Sequence, residues 1–388
     1  MCWINLNRTF MENHRQNIIG QAKKILIKVG SAVLSGQDGL DLEVINTLVE
    51  QMSTLVKKGG SVVLVTSGAI VSGKHRLALT GKLTSIPEKQ AAAAVGQGRL
   101  MRVYSKAFER NGLYVAQILL TLADLTDRRR FLNIRNTLST LLTWKVIPII
   151  NENDTVAVDE IKFGDNDHLA AMIANIIEAD LFVILTSTDG LFDKNPATSK
   201  KARIIPLVKK ITSDIEAMAT EETSSTGTGG MKSKIMAAKK VTAIGIPCII
   251  APGKRKDVLS DIMAGKEIGT LFLPRSKRLN SKKYWIAFTL KSKGRLVIDE
   301  GAEKALVEQG KSLLPSGVTD VEGHFNPGDP VSCISRNGTL LAKGLANYGA
   351  EDIKKIKGLK TSQIRQVLGY KDYDEVIHRD NLVIIKPS

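Results

Sequence analysis

Cysteine is scarce in this chain. Its 388 residues contain three, Cys2, Cys248 and Cys333, an odd number spread over the whole length. They offer neither a disulfide framework nor a Cys-x-x-Cys metal site, and such usage fits a reducing compartment. Histidine is as sparse: His14, His75, His168, His324 and His378 stand far apart, with no zinc-ligand spacing and no readable Ser-His-Asp arrangement. They read as ordinary surface or core histidines. Long apolar runs are missing too. No stretch approaches the ~18 residues that a membrane helix needs. The opening segment, MCWINLNRTFMENHRQNIIGQ, lacks the apolar core and small-residue cleavage site of a signal peptide. Residues 1–22 read as a flexible N-terminal tail, in which Met11 offers an alternative start. The expectation is a cytoplasmic globular protein with no dedicated metal site.

Charge is plentiful but lopsided. The formal net charge is +16, and the excess lies in residues 1–285, with 40 Lys+Arg against 26 Asp+Glu. Residues 286–388 carry 15 against 13. A basic chain invites a nucleic-acid reading, yet a near-neutral C-terminal region argues against a strong electrostatic grip on RNA. Anionic substrates account for a positive site in the larger part. The length favours two domains.

From residue 23 the chain alternates short β-branched runs with helical patterns. KKILIKVGS, SVVLVTSGA, YVAQILL, VIPIINEND, LFVILTSTDG and IPCIIAPG read as strands, with helices over 41–58, 88–110, FLNIRNTLSTLLTW and MKSKIMAAKKVTAIG. Continuous apolar strands separated by helices predict an α/β fold with a mostly parallel sheet sandwiched by helices. Residues 23–285 would form this domain. The basic stretch RSKRLNSKKYW reads as a linker, and beyond it short strands predict a small, mostly-β domain over 292–370, with an extension to 388. Asn337-Gly338 between two of those strands marks a hairpin.

In parallel α/β folds ligands sit beyond the carboxyl ends of the strands, and four features gather there. Gly68 to His75 nearly matches a P-loop, but His75 stands where Ser or Thr would hold Mg²⁺. A strand-to-helix turn is the better reading, with Ser67-Gly68-Ala69 able to hold an anionic oxygen. Thr226 to Lys234, TGTGGMKSK, places three glycines before a helix, a nest for phosphate oxygens. Lys232 and Lys234 follow in its first turn, where acids are usual, and a bound polyanion gives cations a reason to be there. Lys28 lies inside an apolar strand, although lysine is rarely buried unpaired. Asn151-Glu152-Asn153-Asp154 and Gly164-Asp165-Asn166-Asp167 are either two Asx turns or one pocket for an amino acid's carboxylate and ammonium.

The segments KVGS, VTSGAI, INENDTVAVDEIKFGDND, LTSTDGLF and GTGGMKSK, in this order and spacing, resemble the glutamate 5-kinase branch of the amino-acid kinase family. The C-terminal region resembles a PUA domain, known mainly from RNA-modifying proteins. The resemblance implies transfer of the γ-phosphate of ATP, with Mg²⁺, to the γ-carboxylate of L-glutamate, the first step of proline biosynthesis. It also implies inhibition by proline and a homo-oligomer. By the same resemblance Lys28 and Lys234 stabilise the transferring group and Asp167 orients them. Ser67, Asp154 and Asn166, with Asn151 and Asp165 nearby, bind glutamate. Lys28, Thr186, Ser187, Thr228, Gly229, Gly230, Met231, Lys232, Ser233 and Lys234 face the nucleotide. Many relatives carry Asp where this chain has Ser187. The alternatives are a sibling kinase acting on acetylglutamate, aspartate, carbamate or UMP, an RNA-binding protein, and an inactive regulator.

Overall fold

A computed structural model of the chain describes residues 15–36, 39–157, 166–196, 198–219, 230–274, 286 and 290–385. It divides into two compact units, residues 1–278 and 279–388. In the first unit, β1 (Lys24–Val29) is followed by the two-stranded ribbon β2 (Ser35–Gly36) and β3 (Gly39–Leu40). Then come β4 (Ser61–Val65), β5 (Val115–Leu120), β6 (Ile147–Glu152), β7 (Leu181–Thr186), β8 (Leu207–Val208), β9 (Cys248–Pro252) and β10 (Thr270–Phe272). Eight of them form one sheet in the order β5-β6-β4-β1-β7-β9-β10-β8. All pairings from β5 to β9 are parallel, and β10 runs antiparallel to β9.

The apolar runs explain this sheet. Ile25, Leu26 and Ile27 of β1, Val62 to Val65 of β4 and Leu181 to Leu185 of β7 are all buried, as strands covered on both faces must be. The chain leaves β1 towards β4 and β6, then returns to β7 on the other side of β1. That reversal is the crevice where such sheets bind ligands, and Lys28 stands at the end of β1. Helices Leu42–Lys57, Ile86–Glu109, Asn166–Ile176 and Met231–Ala243 flank the sheet. Helix Ala69–Arg76 crosses Ile86–Glu109 so closely that a Cβ on Gly73 would lie 1.7 Å from the Ala92 carbonyl oxygen, and one on Gly96 would lie 1.9 Å from that of Ala69. Gly73 of the near P-loop match is thus a helix-packing glycine. His75 accepts a hydrogen bond at Nδ1 from Arg99 at 3.2 Å, a structural contact.

One expectation is overturned. Residues 15–22 are not a flexible tail. Residues 15–19 are helical and Ile19 is fully buried in the core. The Arg15 guanidinium, 3% exposed, donates to the carbonyl oxygens of Lys266, Ile268, Pro206 and Gly269 at 2.7–3.2 Å. A short polar segment with one apolar pair shows no periodicity, so its docking through a single arginine left no pattern to read. The linker RSKRLNSKKYW lies outside the described residues.

The second unit contains β11 (Gly294–Ile298), β12 (Val318–Gly323), β13 (Pro330–Ile334), β14 (Leu340–Leu345) and β15 (Leu382–Ile384), in the sheet order β12-β11-β13-β14-β15. Only β11 and β13 pair in parallel. The β13–β14 hairpin closes with Gly338 at φ +79° and a Ser335 N–H to Thr339 oxygen bond of 2.9 Å, where glycine supplies the left-handed residue the turn needs. Its own core gathers Leu296, Val331, Tyr348, Ile353 and Val376.

Candidate active site

The strand ends deliver two clusters. The first is charged. Lys28 of β1 is 4% exposed and Lys234 of helix Met231–Ala243 is 5% exposed. Between them lies Asp167, from the first turn of helix Asn166–Ile176, with no exposed surface. Its Oδ1 meets Lys28 Nζ at 2.5 Å, and its Oδ2 meets Lys234 Nζ at 3.3 Å. Ser233 Oγ donates to the same Oδ2 at 2.7 Å. Lys234 Nζ also reaches the Gly230 carbonyl oxygen at 3.3 Å. Burial alone would push the Asp167 carboxyl up, but the two ammonium charges and their hydrogen bonds hold it well below the usual carboxylate range. The Asp167 carboxylate thus serves as a counter-charge shared by both buried ammonium groups, in a low-dielectric site where such attraction is strong. The two helices pack against each other, and Ala170, Ala171 and Ala174 of one and Ala237 and Ala238 of the other are buried. His168 joins them a turn away, accepting at Nδ1 from Lys240. Its pKa falls to about 4 through burial and the Lys240 charge, so it is neutral.

The second cluster is neutral. Asn166 Nδ2 donates to the Thr66 carbonyl oxygen at 3.0 Å, to Ser67 Oγ at 3.0 Å and to Asn151 Oδ1 at 3.1 Å. Asn151 Nδ2 in turn donates to Gln97 Oε1 at 2.8 Å. Asn151 and Glu152 belong to β6 itself, and the following turn is closed by the Val156 and Ala157 N–H groups on the Asn153 oxygen. Asp154 projects from that turn, and desolvation raises its carboxyl to about 6. Ser67 precedes Gly68, whose φ of +101° turns the chain from β4 into the next helix. Asn166 and Asp167 are sequence neighbours, so one helix start holds both clusters.

Of the remaining expected residues, Thr186 ends β7, buried, with its carbonyl oxygen accepting from Gly253 N–H at 2.8 Å. Ser187 follows it on the exposed side, and Lys232 is exposed in the first turn after Gly230 and Met231. Asp165, Thr228 and Gly229 lie outside the described residues. Two contributors escaped sequence reading. Gln97 sits inside a long helix whose alanine-rich run carries no signal. Ser233 appeared only as a nucleotide-facing residue, not as a partner of Asp167.

Comparison with known proteins agrees with this architecture. Residues 23–252 match the amino acid kinase family and residues 294–368 match the PUA domain. The chain belongs to the amino acid kinase family. It is 68% identical over 378 residues to the glutamate 5-kinase of Syntrophus aciditrophicus, covering 97% of this chain and 98% of that protein. It is 51% identical to the glutamate 5-kinase of Syntrophotalea carbinolica, over 96% of this chain and 100% of that one, and 52% identical to that of Thermoanaerobacter sp., over 94% and 98%. Within the family, its place is among the glutamate 5-kinases. No helix among the described residues is long and apolar enough to cross a membrane.

Proposed function

We propose that the chain transfers the γ-phosphate of ATP to the γ-carboxylate of L-glutamate, forming L-glutamate 5-phosphate and ADP. The single observation that carries this reading is Asp167, held between Lys28 and Lys234 and adjoining, through Asn166, the neutral amide cluster. A carboxylate acceptor is already a nucleophile at neutral pH, so the site needs no general base. Positioning and charge stabilisation then carry the catalysis. Lys28 and Lys234 face the phosphoryl group and offset the charge on its equatorial oxygens. Asp167 touches neither substrate. It fixes the two ammonium groups and keeps them from repelling each other. Ser67, Asn151, Asp154 and Asn166 hold the amino acid, with the Asp154 carboxylate taking its ammonium group. Thr186, Ser187 and the segment through Lys234 take the nucleotide.

Asp167 is engaged by both lysines and by Ser233, so Mg²⁺ would be held chiefly by the ATP phosphates and water, supplying charge neutralisation there. Proline as feedback inhibitor and a homo-oligomeric assembly belong to the same reading, as does a cytoplasmic location. The weak net charge of residues 286–388 weighs against RNA as an electrostatic partner. The test is incubation with ATP, Mg²⁺, hydroxylamine and each candidate acid. Hydroxamate from free glutamate, and none from acetylglutamate or aspartate, is the expected result. Product from another acid alone would move the chain to a sibling reaction.

A further inference from the structure

The neutral cluster has a fixed polarity. The Thr66 carbonyl oxygen can only accept, so the group that Asn166 turns towards it, at 3.0 Å, must be its NH₂. The same NH₂ faces Asn151, which must answer with its oxygen, at 3.1 Å. Asn151 then has only its own NH₂ left for Gln97, which must answer with Oε1, at 2.8 Å. Orientation is thereby dictated from a backbone carbonyl to the far end of three side-chain amides. The far end is Gln97 Nε2. It is buried and has no hydrogen-bond partner among the described residues, and the same is true of Asn166 Oδ1 at the near end. A buried N–H left unpaired costs roughly 1–3 kcal/mol, so native proteins rarely keep one without a reason.

Gln97 reaches this place because Gly96 and Gly73 let helix Ile86–Glu109 approach helix Ala69–Arg76. The same long helix holds the turn after β6, through Gln90 Nε2 on the Ala157 carbonyl oxygen at 3.1 Å. Gln97 thus has its Oε1 engaged by Asn151 and its buried Nε2 without a partner among the described residues. We infer that Gln97 is a further binding residue of the acceptor subsite, giving its Nε2–H to a carboxylate oxygen of the amino-acid substrate. The inference rests on the proposed reaction for the nature of the acceptor. Its chemistry is narrower than that of the lysines. An amide N–H selects a carboxylate by direction and adds no charge to the site.

Two substitutions separate this role from a purely structural one. Gln97→Met removes both the donor and the oxygen that supports Asn151. Gln97→Glu keeps an oxygen for Asn151 Nδ2 but sets an anion where the donor stood. A binding role makes Gln97→Glu the worse variant, with KM for the acid raised a hundredfold or more. Gln97→Met would raise it about tenfold, the loss of one charge-assisted hydrogen bond. KM for ATP should stay within about threefold of the wild type in both. A structural role reverses the order: Gln97→Glu is near wild type and Gln97→Met is impaired, and that result overturns the inference. The comparison uses whichever carboxylate the wild type phosphorylates, so failure with glutamate counts against the proposed reaction and not against Gln97. Circular dichroism and melting of both variants confirm that the folded enzyme is being compared.

Discussion

The two halves of the site are built from opposite materials. Lys28, Asp167 and Lys234 are full charges that hold one another in place, almost without exposed surface. Gln97, Asn151, Asn166 and Ser67 are neutral dipoles that do the same a few ångströms of chain away. The charged half hinges on one carboxylate. Removing it takes away the counter-charge that both buried lysines share, and loss of a buried counter-charge is among the most destabilising changes a protein can suffer. The neutral half degrades gradually, because losing one amide contact leaves a dipole and not an ion behind. In the proposed reaction phosphoryl transfer needs fixed positive charge and acceptor recognition needs direction, and each half is made of what its proposed task demands.

The largest expected effect therefore comes from the centre of the charged half. Asp167→Asn removes the carboxylate that the two buried ammonium groups share. Turnover in the hydroxamate assay should fall by about 10³-fold or more, and unfolding in urea should show a loss of about 3–5 kcal/mol. Full stability with lost turnover would mean that the lysines find water or another partner, and the contrast between the halves would collapse.

Lys234→Ala is expected to be the next in size. Lys28 still pairs with Asp167 at 2.5 Å, so the carboxylate stays compensated and the fold suffers less. The loss should fall on kcat, by about 10²–10³-fold, with KM for ATP within about threefold, the pattern of a charge felt most in the transition state. If steady-state kinetics instead show unchanged turnover and a raised KM for ATP, Lys234 binds the nucleotide and does not stabilise the transfer.

These predictions draw on residues of unequal legibility. The parallel sheet was readable because buried strands must be continuous apolar runs. Lys28 was readable because it interrupts one. The hairpin at Gly338 announced itself by composition. Beyond β9, the short strands β8 and β10 and the antiparallel pairing of β10 on β9 were not readable, since strands of two and three residues have no period. Arg15 looked like a tail residue because nothing local says that its guanidinium will meet four carbonyl oxygens from residues 206 and 266–269. Gln97 was hidden for the same reason. Its role depends on two glycines that let helices touch and on an amide chain anchored at Thr66, all of it tertiary. What sequence reveals is chemistry concentrated at strand ends, and what it hides is the partner that arrives from another helix.

A pH titration probes Asp154, a carboxylate that borders the neutral half. Desolvation raises Asp154 to about 6. If it takes the substrate ammonium, only its ionised form binds well. Below pH 6 the protonated fraction grows, so kcat/KM for glutamate should fall about tenfold per unit, while at pH 7 and above it should be flat. A bound ammonium favours the carboxylate form and lowers its pKa, so the break in kcat should lie at a lower pH than the break in kcat/KM. Asp154→Asn should abolish that break and leave a uniformly weak affinity. An unmoved break would assign the titration to another group.

The smallest effect on the fold should come from Ser67→Ala, and here the neutral half shows why it is forgiving. The Asn166 NH₂ carries two hydrogens but faces three acceptors, the Thr66 oxygen, Ser67 Oγ and Asn151 Oδ1, at 3.0, 3.0 and 3.1 Å. Deleting the hydroxyl leaves two acceptors for two hydrogens, so no donor is stranded. Unfolding free energy should change by less than about 0.5 kcal/mol. Any effect must then arise from what Ser67 itself gives the acceptor, a single neutral hydrogen bond, and KM for glutamate should rise by about threefold to tenfold with kcat nearly unchanged. The same-sized change at Asp167 and at Ser67, one polar group removed, thus separates into a stability loss in one half and a purely kinetic loss in the other. If Ser67→Ala melted as early as Asp167→Asn, the amide chain would be as indivisible as the ion cluster, and the distinction between the two halves would be wrong.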